Sequence, residues 1–293
     1  MPELPEVEII VRDLKNKVRK RTFIDVWTDF PKMIKKPDSF SKFKKEIIGK
    51  KIEKVWRKGK NILFNLSGDY CLLIHQKLTG HLLLGKWKYE KGKWNPLIKG
   101  PLSNDPMNRF LHLILFLDNK EQLALSDLRK FAKVKLQKCK ELMTSDDIKS
   151  LGTDPLEKNL TFGIFKKIIY SRKKKIKQIL MDQTLISGIG NIYSDEILFE
   201  AKINPLRYSN DLSENEVKRI YEAMHKILRK AISLRGESIS DFRDIKGRRG
   251  LFDKERKVYR REGKKCFRCG AIIKRVRIGG RSSYFCPQCQ KIK

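Results

Sequence analysis

Two sets of residues in this chain could do chemistry. The first is the opening run Met1-Pro2-Glu3-Leu4-Pro5-Glu6-Val7-Glu8. Removal of Met1 would expose the ring nitrogen of Pro2 as a secondary amine, and a chain-terminal amine titrates roughly two units below a lysine, so a usable fraction is unprotonated near neutral pH. Attack of such an amine on a sugar C1′ gives an iminium ion with no N–H to lose. The cation persists and acts as an electron sink for elimination, with Glu3 as the nearest acid. Proline and glutamate in these positions also suit an ordinary helix start, and the residues alone leave both readings open. The second set is Cys266, Cys269, Cys286 and Cys289, spaced C-x2-C-x16-C-x2-C, which gathers four thiolates around one zinc ion on two tight knuckles. Four thiolates leave no open position for water, so this zinc is structural. Cys71, in an apolar run, and Cys139, among lysines, have no close partner in sequence and read as reduced thiols.

The elements that must position these groups follow from periodicity. Residues 3 to about 20 place Leu4, Val7, Ile10, Val11 and Leu14 at helical spacing. The period then changes to two, giving strands over 22–27, 51–56, 61–66, 70–75, 109–117, 122–126 and 131–136, several separated by turns such as Ser67-Gly68-Asp69. Residues 86–108 and 236–257 read as long loops. From about residue 150 the pattern is helical, over 160–171, 173–181, 192–201 and 213–234. The fold class is α+β: an N-terminal helix with an antiparallel β-sandwich, then a helical domain and a zinc hairpin. The expected domains are 1–140, 141–257 and 258–293, with the chemistry where the first two face each other.

Charge points to the partner. A formal +33, from 67 Lys and Arg against 34 Asp and Glu, exceeds what solubility needs and suits a nucleic acid. Many of these lysines also serve solvated faces. The C-terminal stretch 258–293 carries eleven Lys or Arg against Glu262 alone. No apolar run approaches a membrane span and the N-terminus lacks a signal-peptide core, so a cytoplasmic protein is expected, nucleoid-associated through its binding to nucleic acid. A monomer is expected.

Together with Lys60 behind Gly59, Asp127-Leu128-Arg129-Lys130-Phe131, Gly188-Ile189-Gly190-Asn191 and the cysteine array, the opening resembles the formamidopyrimidine-DNA glycosylase family over essentially the whole chain. The resemblance implies a base-excision enzyme that removes oxidised purines from damaged double-stranded DNA and cuts the strand by β- and δ-elimination. It implies Pro2 as Schiff-base nucleophile, Glu3 as acid and base, Glu6 facing the flipped base, and Lys60 and Arg281 on phosphates and assisting elimination. Leu78, Arg129 and Phe131 would fill the hole left by the flipped base. Here Leu78 stands for a common methionine, and Leu128-Arg129-Lys130-Phe131-Ala132 for Pro-Arg-Arg-Phe-Gly. Core packing is the alternative for Leu78 and Phe131.

Asn191 would grip the DNA backbone in a helix-two-turn-helix element, with Arg172 and Lys177 on further phosphates. Ser240 replaces a lysine in the loop that caps the base. An oxidised-pyrimidine glycosylase of the same fold, an inactive zinc-dependent DNA-binding protein and an RNA-binding zinc protein are the alternatives. Leu4 and the split wedge favour purines, and the presence of Pro2, Glu3 and Lys60 favours catalysis.

Overall fold

The computed structural model describes residues 2–238 and 242–292, grouped in two compact units. The first unit comprises residues 1–149 and 234–253, and the second comprises 150–233 and 254–293. Met1 and Ser240, both invoked from the sequence, lie outside the described residues.

The first unit opens with α1 (Leu4–Lys17), which starts where the sequence places it because Glu3 and Glu6 cap it reciprocally and Pro5 lies in its first turn. Leu4, Val7, Ile10, Val11 and Leu14 form its buried face. Next come β1 (Phe23–Thr28), β2 (Ile34–Lys36), α2 (Phe40–Ile47), β3 (Ile52–Lys58), β4 (Asn61–Leu66), β5 (Tyr70–His75), β6 (His81–Gly85), β7 (Trp87–Glu90) and β8 (Lys93–Pro96). Then follow α3 (Pro101–Asn104), β9 (Leu111–Leu117), β10 (Gln122–Ser126), β11 (Lys133–Lys138), α4 (Cys139–Thr144) and α5 (Asp146–Lys149).

One sheet runs β1-β9-β10-β6 and the other β2-β11-β5-β4-β3, antiparallel throughout except for the β2–β11 pair. Val26, Leu82, Leu113, Leu115 and Leu125 of the first sheet share one core with Val55, Ile62, Phe64, Leu72 and Ile74 of the second and with the apolar stripe of α1. That two-sheet core is the sandwich read from the period of two.

Several strands carry apolar residues on both faces, and the reason is a second covering layer. Leu142 and Ile148 of α4 and α5 pack on Leu63, Cys71 and Leu73. On the other sheet, Trp87, Trp94 and Leu102 pack on Leu83, Ile114 and Phe116. The stretch 86–108, expected as a loop, therefore contains the hairpin β7–β8 and α3. Lys91 and Gly92, both at positive φ, make its turn.

The reading of Cys71 and Cys139 as reduced thiols is corrected, because they form a disulfide. The antiparallel register of β5 with β11 pairs Cys71 with Gln137 and Tyr70 with Lys138, which delivers Cys139 to the strand start. Sheet pairing thus closes a separation of 68 residues that local spacing could not reveal.

Residues 234–253, expected within the helical domain, group with the first unit. Phe242 and Ile245 join the sandwich core and Leu84 N donates to Ile245 O at 2.8 Å. Arg243 grips Asp105 with two nitrogens at 2.6 and 3.1 Å, and Arg235 binds both Asp13 and Asp244. Charge pairs distant in sequence carry this docking, so the composition of the segment could not announce it.

The second unit contains α6 (Phe162–Tyr170), α7 (Ile176–Met181), α8 (Asn191–Glu200), α9 (Glu214–Ser233) and the hairpin β12 (Lys274–Ile278) and β13 (Arg281–Phe285). Seven consecutive residues of α8 from Tyr193 to Phe199 are buried, so α8 is its central helix. Against it pack Val258, Ile273 and Cys286 of the cysteine module.

Candidate functional site

In the first unit the N-terminus is built around Glu6. Pro2, Glu3 and Glu6 are all buried. The Glu6 carboxylate accepts the Glu3 N–H at 2.7 Å through one oxygen and the Glu237 N–H at 2.9 Å through the other. One carboxylate thereby satisfies an orphan donor of α1 and fixes the 234–238 segment beside Pro2 and Glu3. Gly236 is required there: its φ is +77°, and a Cβ would meet the Glu6 carboxylate oxygen at 2.8 Å.

Lys60 is 8% exposed and sits at the β3–β4 turn behind Gly59, whose φ is +55°. Arg57, which the sequence reading missed, ties this turn to α1. Its Nε donates to Glu8 at 2.8 Å and its Nη1 to Gly59 O at 3.2 Å. Burial would raise the Glu8 carboxyl, but the Arg57 and Arg12 guanidiniums outweigh it and hold the group below the usual range. Burial, reinforced by the charges of Lys77, Lys60 and Lys133, drives the neighbouring His75 down to about 3. His75 is therefore neutral at physiological pH.

The two wedge loops are locked together by Asp127, a residue 0% exposed. Its carboxylate accepts from the Thr79 hydroxyl, from Arg129 N at 3.3 Å and from Ala132 N at 2.7 Å. That anchor leaves the side chains beyond it outside the core. Phe131 is 50% exposed, with the Arg129 guanidinium 4.7 Å from its ring centre, and Leu78 is half-buried. Core packing therefore does not account for Phe131. Asp127 lies inside the stretch singled out from sequence, yet its invisible partner was Thr79.

In the second unit, Asn191 is the first residue of α8, and its side-chain oxygen is buried with no hydrogen-bond partner among the described residues. Gln183 braces the preceding turn, accepting from Gly188 N at 2.9 Å and donating to Ile189 O at 2.7 Å. The ten-residue helix thus starts at a fixed, glycine-lined approach suited to an anion. Arg172 is exposed and paired with Asp182 at 2.8 Å.

Lys177 does not match its expected role. Its side chain is 1% exposed, and its ammonium donates to Asp195 at 2.7 Å and to Ser282 O at 3.0 Å. Asp195 also accepts from Ser283 Oγ at 2.7 Å and Tyr284 N at 2.9 Å. Burial pushes the Asp195 carboxyl up to about 6, while the Lys177 ammonium and the Tyr284 and Ser283 donors favour its charged form. The basic run that suggested a DNA contact contributes, at this position, the clasp between α7, α8 and β13.

The four expected cysteines converge, with all Sγ atoms within 4.8 Å of one another. Pairs stand 3.4 Å (Cys269 to Cys286) and 3.9 Å (Cys266 to Cys289) apart. Tetrahedral zinc with sulfur at about 2.3 Å requires sulfurs roughly 3.8 Å apart, so the donor set fits the ion. Arg268 N and Cys289 N each donate to a cysteine sulfur at 3.4 Å, of Cys266 and Cys286 respectively. Glu196 accepts three consecutive N–H groups, of Lys257, Val258 and Tyr259, at 2.8, 3.0 and 2.8 Å, and so fastens the module to α8. Arg281 is exposed at the hairpin turn after Gly279 and Gly280.

Fold and site define a class: a zinc-stapled enzyme that works on nucleic acid. Residues 1–134 match the formamidopyrimidine-DNA glycosylase N-terminal domain, 151–243 the H2TH domain of the same glycosylase, and 263–292 the zinc finger found in FPG and IleRS. Formamidopyrimidine-DNA glycosylase of Pelotomaculum thermopropionicum is 42% identical, and that of Desulforamulus reducens 35%, each over the full length of both chains. A Lactococcus lactis Fpg in complex with DNA containing an abasic site superposes with a TM-score of 0.84 at 32% identity, covering 99% of this chain and 100% of that one. The L. lactis enzyme with oxidised-pyrimidine DNA gives the same values. The chain belongs to the formamidopyrimidine-DNA glycosylase family. It is accordingly a DNA glycosylase with AP lyase activity that takes a zinc ion.

Proposed function

We propose that this enzyme excises oxidised purines from duplex DNA with Pro2 as the nucleophile. The Pro2 nitrogen attacks C1′, the N-glycosidic bond breaks, and the base leaves with the bonding pair and a proton. The sugar stays on Pro2 as an aminal, and cleavage of the C1′–O4′ bond with a proton delivered to O4′ opens the ring to the iminium ion. Loss of a C2′ proton then expels the 3′ phosphate, and a second elimination expels the 5′ phosphate. Glu3 moves the protons, Lys60 offsets charge on the phosphate, and Arg281 binds the flanking phosphates. Glu6 holds the base-side loop, and zinc supplies only the fold of the hairpin.

Leu78, Arg129 and Phe131 fill the vacated stack and contact the orphaned base, while Asn191 and Arg172 hold backbone phosphates. The protein would act in the cytoplasm on the nucleoid. None of the described helices is long and apolar enough to cross a membrane.

The observation that carries this reading is the buried Pro2-Glu3 start held through Glu6 to Glu237. A second reading, excision of oxidised pyrimidines, is favoured by the superposing L. lactis structure with such a lesion in its DNA. Single-turnover excision from matched duplexes carrying 8-oxoguanine, a formamidopyrimidine or an oxidised pyrimidine decides between them. Faster release of the two purine lesions supports the first reading, and faster pyrimidine release the second.

A further inference from the structure

The hairpin β7–β8 and the segment after it enclose a cavity of about 440 Å³ that no step above uses. Its lining includes Lys93, Trp94, Asn95, Leu102, Ser103 and Arg109, all within the first unit. Trp94 is a fixed aromatic wall, with ring centres of Trp27, Tyr89 and Phe116 at 5.3, 5.2 and 5.8 Å. Its indole N–H is buried and finds no acceptor among the described residues. Lys93 and Arg109 are exposed at the cavity, and neither has a carboxylate partner among the described residues.

The back wall is rigid. Asn108, 2% exposed, donates to Pro101 O at 2.9 Å and Gly247 O at 3.2 Å, and meets His81 Nε2 at 3.1 Å. Burial brings His81 down to about 4, so this wall carries no charge.

A concave site with an aromatic wall, amide and hydroxyl groups and two exposed cations that have no carboxylate partner among the described residues matches one ligand chemistry. The wall stacks a planar base, and the cations take a phosphate. We propose that this cavity is an auxiliary subsite for a nucleotide unit, a nucleobase bearing a phosphate, supplied either as a free nucleotide or by a single-stranded DNA end. A site for bare phosphate would not need the tryptophan. An apolar ligand would not need the cations. The lining contains none of the residues assigned to catalysis, the wedge or the zinc module.

The test titrates the full-length protein with deoxyguanosine 5′-monophosphate and reads tryptophan fluorescence, against inorganic phosphate in parallel. Saturable quenching by the nucleotide is expected, with no response to phosphate at the same concentration. In Lys93→Gln/Arg109→Gln, both exposed positions that the fold does not need, binding should weaken about tenfold or more. Trp94→Phe should lose most of the quenching.

Displacement of the nucleotide by a duplex with a single-stranded overhang, but not by a blunt duplex, assigns a DNA end as the source. Retention in the presence of both assigns the free nucleotide. Equal binding by wild type and the double variant, or an equal response to phosphate, overturns the proposal. Excision of 8-oxoguanine from a blunt duplex by the double variant should match wild type. A failure of that activity in the wild type would bear on the proposed function and leave this subsite standing.

Discussion

The Glu6 carboxylate accepts the backbone N–H of Glu237 at 2.9 Å across 231 residues of sequence while its other oxygen caps α1 at Glu3. Two buried donors depend on that one side chain. Glu6→Ala should therefore cost more than a surface change, about 1–3 kcal/mol for each donor left unpaired, and release the 234–238 segment. Glu6→Gln, which keeps one acceptor oxygen, should fall between the two. Thermal unfolding with hydrogen exchange at Glu237 measures this, and unaltered protection there in Glu6→Ala would refute the clasp.

Lys177 and Asp195 form a sealed pair, 1% and 0% exposed, so removing one partner strands a buried charge. Lys177→Met should destabilise the second unit by roughly 3–5 kcal/mol, and Lys177→Met/Asp195→Leu should recover part of that. Neither should change the salt dependence of DNA binding in protein that remains folded. Arg172→Gln should do the reverse, lowering the slope of log K against log salt by about 0.9 without affecting stability. A slope change in the folded Lys177 variant would restore Lys177 as a phosphate contact.

These two pairs also show what the sequence could and could not tell. The cysteine array was legible because its ligands come as two close pairs, and α1 because its cap and apolar stripe are local. Phe131 and Arg129 were singled out through the surrounding motif, and both lie exposed and in contact with each other. Lys177 was misread because, in a chain of charge +33, one buried lysine looks like any other until Asp195 is placed against it. The Cys71–Cys139 bond and the docking of residues 234–253 were hidden for the same reason. Both are products of pairing between distant elements, which local periodicity does not encode.

Two histidines give the protein an acid-sensitive core. His75 is held down to about 3 and His81 to about 4, chiefly by burial, against 6.5 for the free side chain. Below pH 6.5 the unfolded chain binds protons that the folded chain refuses, so their stabilisation is complete above that value and declines as pH falls towards 4. Asp195, pushed up to about 6, acts in the opposite sense below that pH. The lowered carboxyls of Glu8 and Asp105 matter only in more acid solution. The contribution of His81 is isolated by comparing melting temperatures of wild type and His81→Gln between pH 7.5 and 5. The variant should show the shallower acid decline, and parallel curves would exclude the effect.

The exposure of Phe131 and its stacking beneath Arg129 predict a split between base extraction and strand cleavage. Phe131→Ala and Leu78→Ala should slow excision from an intact 8-oxoguanine duplex and leave cleavage at a preformed abasic site nearly unchanged. Arg129→Ala should also relax dependence on the opposite base, at a cost of about 1–3 kcal/mol in recognition. Paired single-turnover rates on the two substrates measure it. Equal losses on both would mean that these residues only hold the fold.

The central claim is that the chain reacts through the nitrogen of Pro2. Borohydride reduction in the presence of an abasic duplex converts the iminium into a stable amine, and peptide mapping of the trapped complex locates the bond. The account predicts a cross-link at residue 2, absent in Pro2→Gly or much reduced. A cross-link on Lys60 or another internal lysine, with Pro2→Gly trapping as well as wild type, would contradict it.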